Sequence, residues 1–151
     1  MKAGDPAPDF ELLDETGTNR TLKELLAAGP LVLFFYPAAM TPGCTAESCH
    51  FRDLAKEFAE VGASRVGISP DPVDKQHQFS EKHSFDFPLL SDADGTVAKQ
   101  FGVRRSFGPL LTKRQTFVID TDGKVLEVIK SELRMSVHAD KALAVLRARQ
   151  P

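Results

Sequence analysis

The sequence predicts an α/β domain in which a central mixed sheet is flanked by helices. Apolar stretches rich in β-branched and aromatic residues alternate with segments of helical periodicity, and a hairpin and a last helix follow them. The chain has 151 residues, of which 42% are apolar, so it can bury a core without metals or disulfides. We therefore expect a single domain that spans residues 1–151.

Each predicted element rests on a local pattern. Residues 3–22 are rich in Pro, Asp, Gly and Thr and predict a hairpin or irregular arm, and residues 21–29 predict a short helix that Gly29 ends. The continuous apolar run in residues 30–37 predicts a strand that is covered on both faces. The elements that follow are a helix in 42–61, a strand in 64–71, a helix in 72–84, an extended piece in 87–92, a helix in 94–103, a hairpin in 114–131 and a helix in 138–150.

The order of these elements is that of a thioredoxin-like fold with an N-terminal extension. A βαβ half is followed by a ββα half, and both cysteines, Cys44 and Cys49, lie at the first strand–helix junction. Sites in open α/β sheets lie at the carboxyl ends of the strands, so we expect the functional site around residues 36–44.

Charge and hydropathy exclude several function classes. The formal net charge is −2 and no basic block occurs, so we expect no nucleic-acid partner and no membrane partner. The N-terminus lacks the apolar core of a signal peptide, and the longest apolar run, residues 31–36, is far shorter than the ~20 residues that span a bilayer. We therefore expect a cytoplasmic protein, in which two neighbouring thiols favour redox catalysis or metal binding over a structural disulfide.

Cys44 is placed where a thiol becomes reactive. Pro42 suits the first helical position and Thr41 the N-cap before it, so Cys44 falls in the first turn of the helix. Unpaired backbone N–H groups and the positive end of the helix dipole then favour the thiolate, which is the nucleophilic form. The alternative is a small buried cysteine that happens to begin a helix.

The second cysteine favours redox chemistry. At about 100° per residue, Cys49 lies opposite the apolar stripe of its helix and among charged residues, so it does not fill a core. An exposed thiol near a reactive one is typical of a sulfenic acid and its resolving partner. The stripe consists of Phe51, Leu54, Ala55, Phe58 and Val61.

Three other uses of the cysteine pair stay open at this point. Structural zinc sites want four ligands, whereas the chain has one cysteine pair and four scattered histidines, and His77 and His83 face different ways on one helix. A copper-binding thiol carrier suits two thiolates and a distant histidine better. A disulfide oxidoreductase would lack its usual C-x-x-C spacing. We expect no bound metal.

A thiolate that attacks a peroxide needs positive charge close to the two oxygen atoms. Negative charge grows on the departing oxygen, and arginine suits this role because it stays charged and offers several fixed donors. Arg114 opens the first strand of the predicted hairpin and can face a cleft, but Arg104 and Arg105 are rivals by composition. The pattern of residues by itself does not choose among the three.

Three residues and several longer segments resemble the peroxiredoxins. Pro37, Thr41 and Cys44 reproduce the P-x-x-x-T-x-x-C signature of that family. The string TPGCTAESC is similar to the bacterioferritin-comigratory or Q-type subfamily, in which the resolving cysteine follows five residues after the peroxidatic one. GDPAPDFELLDETG resembles the N-terminal arm of the family, FPLLSD its middle, and RQTFVID the strand with its active-site arginine.

The resemblance implies a thiol-dependent peroxidase that needs no cofactor. Cys44 would attack hydrogen peroxide or an organic hydroperoxide and become a sulfenic acid, and Cys49 would resolve it to an intramolecular disulfide. A dithiol protein such as thioredoxin would reduce the disulfide. Relatives of this type imply a monomer, or at most a weak dimer.

The resemblance also assigns roles around the thiolate. Thr41 would hydrogen-bond the peroxide, Arg114 would hold the thiolate and polarise the peroxide, and Pro37 would shield the sulfur from water. Glu47 matches an acidic position that orients the arginine. The chain departs from the family at Ala38–Met40, where relatives usually carry polar residues, so we expect an apolar rim that contacts alkyl chains.

The C-x₄-C spacing predicts a conformational change. If both cysteines lie in one regular helix, their Cα atoms are roughly 8.7 Å apart, whereas disulfides rarely exceed ~7 Å. Formation of the disulfide therefore requires that the first turns of the helix unwind, within residues 42–52.

Overall fold

The computed structural model describes residues 1–149 and has the predicted α/β architecture. The strands are β1 (Glu11–Leu13), β2 (Asn19–Thr21), β3 (Leu31–Phe35), β4 (Ser64–Ser69), β5 (Leu89–Ser91), β6 (Gln115–Ile119) and β7 (Val125–Lys130). The helices are α1 (Leu22–Leu25), α2 (Pro42–Asp53), α3 (Ala55–Glu60), α4 (Val73–His83), α5 (Thr96–Gln100) and α6 (Met135–Arg149). Within the described residues, no helix is long and apolar enough to cross a membrane.

The strands form a mixed sheet in the order β2-β1-β5-β4-β3-β6-β7. An N-terminal hairpin, one of the two forms predicted for residues 3–22, lies at one edge. β3, β4 and β5 are parallel, whereas β6 runs antiparallel to β3, and β7 runs antiparallel to β6. Because of this reversal, the start of β6 lies beside the end of β3, where Gln115 pairs with Phe35. Residues that follow β3 and residues that precede β6 therefore meet at the same end of the sheet.

β3 is buried on both faces, as its continuous apolar run predicts. Every residue in Leu31–Phe35 is fully buried. Val32 and Phe34 belong to the core cluster that includes side chains of α2, α4 and α6. The other three side chains belong to a second cluster with α1 and α5. Helices thus cover the sheet on both sides, and α2 packs against β3.

An aromatic stack fastens the C-terminal half of α2 to the sheet. Phe51 of α2 stacks on Phe34 with ring centroids 4.2 Å apart, and the Phe58 ring of α3 lies 5.9 Å from the Phe51 ring. The Arg65 guanidinium lies over the Phe87 ring and donates a hydrogen bond of 2.7 Å to the Phe51 carbonyl. The C-terminal end of α2 is therefore held by both packing and hydrogen bonding.

The helix predicted over residues 42–61 is in fact two helices. The backbone of Leu54 (φ −97°, ψ 20°) leaves the helical region, so α2 ends at Asp53 and α3 begins at Ala55. The apolar stripe continues across the break, which is why periodicity alone does not reveal it.

Three other helices differ in length from the prediction, and one of them, α5 (Thr96–Gln100), is shorter at both ends than the predicted 94–103. α1 is a single turn that ends at Leu25, and the chain then passes through Gly29 (φ 152°). A Cβ at Gly29 would lie 2.1 Å from the Gly62 carbonyl oxygen, so this close approach, rather than a helix end, requires the glycine. α6 begins at Met135, earlier than predicted, and the predicted last residue, Gln150, lies outside the described residues.

The aromatic stack predicts a large loss of stability on truncation. Phe51→Ala should lower the free energy of unfolding by about 3–5 kcal/mol, because the cavity left in the core cannot collapse fully. Equilibrium unfolding in urea measures the loss. Phe107→Ala is the matched control: its ring is 84% exposed, and its truncation should change the free energy by no more than about 0.5 kcal/mol. Equal losses in the two variants would contradict the buried stack.

Candidate active site

The loop between β3 and α2 positions the predicted signature residues. After Phe35 the chain passes through Met40, which has a left-handed backbone (φ 69°), and enters α2 at Pro42. Thr41 occupies the predicted N-cap position with an extended backbone (φ −84°, ψ 154°). Its hydroxyl donates to the Ala38 carbonyl at 2.7 Å and does not cap the helix, so the first N–H groups of α2 have no side-chain cap.

Cys44 lies in the first turn of α2, and its side chain is fully buried. Nη2 of Arg114 donates to its sulfur at 3.3 Å. A guanidinium at this distance stabilises negative charge on sulfur, which is the charge that the nucleophilic form of cysteine carries. Both cysteines of the chain are free thiols in this structure.

Arg114 reaches Cys44 because of the sheet topology. It directly precedes β6, whose start lies beside the end of β3, so strand pairing closes a separation of 70 residues along the chain. Of its two rivals, Arg105 pairs with Glu132 at 3.3 Å, and Arg104 lies against the start of α5. Among the three candidate arginines, Arg114 is the one that contacts the sulfur.

Glu47 binds the same guanidinium through its other terminal nitrogen. Its Oε1 accepts a hydrogen bond of 2.7 Å from Nη1 of Arg114, and its side chain is fully buried. Within residues 1–149 its Oε2 has no hydrogen-bond partner, and Nδ1 of His138 lies 3.6 Å away. Burial raises the pKa of Glu47 to about 8, although Arg114 opposes the shift. Glu47 therefore keeps its proton at neutral pH. The positive charge of Arg114 is then not neutralised by Glu47 and can stabilise negative charge on the sulfur.

His138 belongs to this buried group and was missed by sequence reasoning. Its Nε2 donates to the Ser131 carbonyl at 2.8 Å, which leaves Nδ1 to accept a hydrogen bond of 2.8 Å from the Thr116 hydroxyl. Burial lowers the pKa of His138, although the Ser131 carbonyl opposes the shift, so the ring is neutral at neutral pH. A neutral Nδ1 offers no hydrogen to Glu47. The signal in the sequence was its place on the buried face of α6, one turn before Ala142.

Cys49 lies in the same helix as Cys44 but is half-buried, whereas an exposed thiol was expected. Partial burial raises the pKa of the Cys49 thiol; Arg52 opposes this effect and Asp53 adds to it. Because α2 is continuous through both cysteines, helix geometry separates their Cα atoms by roughly 8.7 Å, which exceeds the ~7 Å range of a disulfide. The two thiols cannot bond while α2 is intact.

The apolar rim of the site differs from the expectation. Ala39 is 2% exposed and packs inward, whereas Met40 is 40% exposed. A cavity of about 310 Å³ begins at Pro37, and the loop before β6 contributes Phe107 and Leu110 to its lining. The apolar surface beside the site therefore comes from the loop before β6 as well as from the loop before α2.

Gly43 leaves room for the arginine. A Cβ at this position would lie 3.3 Å from Nη2 of Arg114 and 3.5 Å from the methyl group of Met135. A side chain here would therefore press on the guanidinium that contacts the sulfur.

Two further observations concern the rest of the chain. Within residues 1–149, no three His, Cys, Asp or Glu side chains are grouped so that they could hold a metal ion. A larger cavity of about 800 Å³ lies beside the turn between β6 and β7, and its lining includes Lys23, Glu24 and Asp122. That turn is at the opposite end of the sheet from Cys44.

Comparisons with known proteins show the family of the chain. The family model that matches describes the AhpC/TSA family, and the match covers residues 3–128. Peroxiredoxin Bcp of Bacillus subtilis is 37% identical over 152 residues, a match that covers 97% of this chain and 96% of the relative.

Solved structures resemble the chain over most of its length. The crystal structure of peroxidoxin BcpB from Mycobacterium tuberculosis is 68% identical with a TM-score of 0.96, over 100% of this chain and 99% of that chain. The Xanthomonas campestris bacterioferritin comigratory protein, solved in a study of its alkyl peroxide reduction activity, is 36% identical with a TM-score of 0.83, over 92% of this chain and 90% of that chain. These structures confirm the thioredoxin-like fold. The chain belongs to the AhpC/TSA family and is a peroxiredoxin of the Q or bacterioferritin-comigratory type, which is a thiol peroxidase.

Proposed function

We propose that Cys44 is the peroxidatic cysteine, that Cys49 resolves it, and that a thioredoxin-type dithiol completes the cycle. The observation that carries this assignment is the 3.3 Å contact between Nη2 of Arg114 and the Cys44 sulfur at the start of α2. The half-buried thiol of Cys49 on the same helix supports the resolving role.

The first step oxidises Cys44. The thiolate attacks the terminal oxygen of a hydroperoxide, the S–O bond forms as the O–O bond breaks, and the departing oxygen takes up a proton as water or alcohol. Arg114 offsets the negative charge that passes from the sulfur to the departing oxygen. Glu47 orients Arg114 through their hydrogen bond of 2.7 Å.

Thr41 and Pro37 prepare the pocket for the peroxide. The Thr41 hydroxyl donates its hydrogen to the Ala38 carbonyl, so its oxygen can accept a hydrogen bond from the O–H of the peroxide. Pro37 is buried beside the cavity of about 310 Å³, which we take as the entrance to the site, and it keeps water from Cys44. The apolar lining of that entrance and the alkyl peroxide reduction activity of the Xanthomonas campestris relative support organic hydroperoxides, besides hydrogen peroxide, as substrates.

The second step forms the Cys44–Cys49 disulfide. After α2 opens, the Cys49 thiol attacks the sulfenic sulfur, and the oxygen leaves as water. The dithiol reductant, which we infer to be thioredoxin, then attacks the disulfide and returns both cysteines to thiols. The protein would act in the cytoplasm as a monomer or at most a weak dimer, as one domain over residues 1–151, with no bound cofactor and no nucleic-acid or membrane partner.

Replacement of the two cysteines should block different steps of the cycle. Cys44→Ser should abolish peroxide consumption, whereas Cys49→Ser should consume about one equivalent and then stop, because its sulfenic acid has no resolving partner. Peroxide consumption with and without thioredoxin measures both effects, and a sulfenic-acid trap detects the intermediate. Normal turnover of Cys49→Ser with thioredoxin would contradict the resolving role.

The arginine contact predicts a large kinetic effect. Arg114→Gln should slow the oxidation of Cys44 by about 10²–10³, because one preorganised donor to the developing charge is lost. Stopped-flow oxidation by hydrogen peroxide measures the rate. Arg104→Gln and Arg105→Gln are the matched controls and should change it far less, since neither side chain contacts the sulfur. The reverse ranking would assign the role to a different arginine.

The buried carboxyl predicts a pH dependence of stability. Folded Glu47 keeps its proton up to about pH 8, whereas in the unfolded chain it loses the proton near its ordinary pKa of 4.5. Between these values the unfolded state binds fewer protons, so this group lowers the free energy of unfolding as the pH rises. The free energy of unfolding of the wild type minus that of Glu47→Gln should therefore fall as the pH rises through this range and level off above it. A difference that rises with pH would show an ionised Glu47 in the folded protein.

Opening of α2 predicts a local loss of protection on oxidation. Amide hydrogen exchange in residues 42–52 should be faster in the disulfide form than in the reduced form, because the helix must unwind there, while β3 stays protected. Cys49→Ser treated with peroxide is the control, since it oxidises without forming the disulfide. Equal protection of residues 42–52 in the two forms of the wild type would contradict the unwinding.

A further inference from the structure

Asp71 is a buried carboxylate that lies behind the loop between β3 and α2. It follows β4, the parallel neighbour of β3, and is 8% exposed. Its Oδ2 accepts hydrogen bonds of 2.6 Å from the backbone N–H of Ala39 and of 2.6 Å from the Ser69 hydroxyl. The catalytic loop is thus tied to the end of the adjacent strand through its backbone.

One peptide group connects this carboxylate to Thr41. The N–H of Ala39 and the C=O of Ala38 belong to the same planar peptide unit. Asp71 accepts from the N–H, and the Thr41 hydroxyl donates to the C=O at 2.7 Å. Asp71, the peptide group and the Thr41 hydroxyl therefore form a continuous chain of hydrogen bonds in which each bond polarises the next.

This chain of bonds fixes the direction of the Thr41 hydroxyl. A hydroxyl has one hydrogen and two acceptor lone pairs. Because the hydrogen points to the Ala38 carbonyl and no helix N–H binds the oxygen, the lone pairs are available to another donor. Rotation of the peptide group would remove the acceptor and release the hydroxyl. The left-handed backbone of Met40 (φ 69°) is unfavourable for residues other than glycine. The loop therefore needs a contact that holds this conformation, and the hydrogen bond from Ala39 to Asp71 is such a contact.

The carboxylate is itself held by a buried network. Gln76 donates to the Ser69 hydroxyl at 2.9 Å and to the Leu90 carbonyl at 2.8 Å, and the Tyr36 hydroxyl donates to Gln76 at 2.6 Å. Burial raises the pKa of Tyr36 well above its ordinary value, so it remains a donor. The only arrangement of hydrogens that satisfies these groups has Ser69 donating to Asp71. The ends of β3, β4 and β5 thus fix the acceptor that the loop uses.

We propose that Asp71 is a positioning residue for peroxide reduction, which fixes the Thr41 hydroxyl, through the Ala38–Ala39 peptide group, as an acceptor for the O–H of the hydroperoxide. The inference rests on the proposed function, since it requires that Thr41 binds the peroxide at Cys44. It gives Asp71 no contact with the substrate.

A double-mutant cycle tests the connection to Thr41, with the second-order rate of Cys44 oxidation by hydrogen peroxide as the readout. Asp71→Ala should slow this rate by about tenfold to hundredfold, the loss that a small misplacement causes. In the background of Thr41→Val, which has no hydroxyl, the same change should cause little further loss. Independent losses that multiply in the double variant would overturn the proposal.

Conservative replacement separates the hydrogen bond from the charge and from folding. Asp71→Asn keeps an acceptor for the Ala39 N–H and should stay within about fivefold of the wild type. Amide exchange at Ala39 should be fast in Asp71→Ala and slow in Asp71→Asn. If Asp71→Ala does not fold, Asp71→Glu takes its place in the cycle, because the longer side chain displaces the acceptor. Asp71→Glu should then slow the oxidation of Cys44 in the presence of the Thr41 hydroxyl and have little effect in the Thr41→Val background.

A matched control tests for a purely structural effect. The Ser91 hydroxyl donates to the backbone carbonyl of Asp71 at 2.7 Å and does not touch the carboxylate. Ser91→Ala should therefore leave the oxidation rate of Cys44 unchanged, and an equal loss in Ser91→Ala and Asp71→Ala would overturn the proposal. A Thr41→Val variant as fast as the wild type contradicts the proposed function, whereas a slow Thr41→Val variant with a fast Asp71→Ala variant contradicts only this inference.

Discussion

The contact between a buried arginine and a buried cysteine is the constraint on which the rest of the structure depends. A guanidinium in the interior is costly unless its donors have partners. Nη2 of Arg114 donates to the Cys44 sulfur and Nη1 donates to Glu47, whereas the buried Nε has no hydrogen-bond partner within the described residues. The antiparallel pairing of β6 with β3 brings the arginine to the end of the sheet where α2 begins. Gly43 has no side chain that would press on the guanidinium of Arg114, and α6 packs in the core cluster that contains Cys44.

Protonation of the neighbouring groups sets the charge balance of the site. With Glu47 protonated and His138 neutral, the Arg114 cation is the charge that lies against the Cys44 sulfur. In the proposed cycle a thiolate on Cys44 would balance this cation, and the balance would be lost when the sulfur becomes a neutral sulfenic acid. The carboxyl of Glu47, already hydrogen-bonded to Nη1, is the group in direct contact that can then ionise and restore the balance. Cys44 and Glu47 would thus be the anionic partner of Arg114 at different stages of the proposed cycle.

The sequence predicted the residues of the site whose contacts are local along the chain and did not predict those whose contacts join distant segments. The local rules of a helix N-terminus place Thr41 at the N-cap position and Cys44 in the first turn, and the structure has both there, although the Thr41 hydroxyl donates to Ala38 instead of capping the helix. Arg114 required the family resemblance, because its contact arises from strand pairing across 70 residues. His138 and Asp71 act through hydrogen bonds to other elements, one of them to a backbone N–H, and no pattern of side chains in the sequence shows such a bond.

The position of Cys49 on an intact helix has a consequence for the lifetime of the oxidised sulfur. In the proposed cycle a sulfenic acid on Cys44 would persist until α2 opens, because the Cys49 thiol cannot reach it while the helix is intact. During that interval another peroxide molecule can oxidise it to a sulfinic acid, which thiols do not reverse. Because Phe51 anchors the far end of α2, the opening is confined to the turns before it. In the proposed cycle the stability of those few turns would therefore influence the peroxide concentration at which the sulfenic acid is oxidised further.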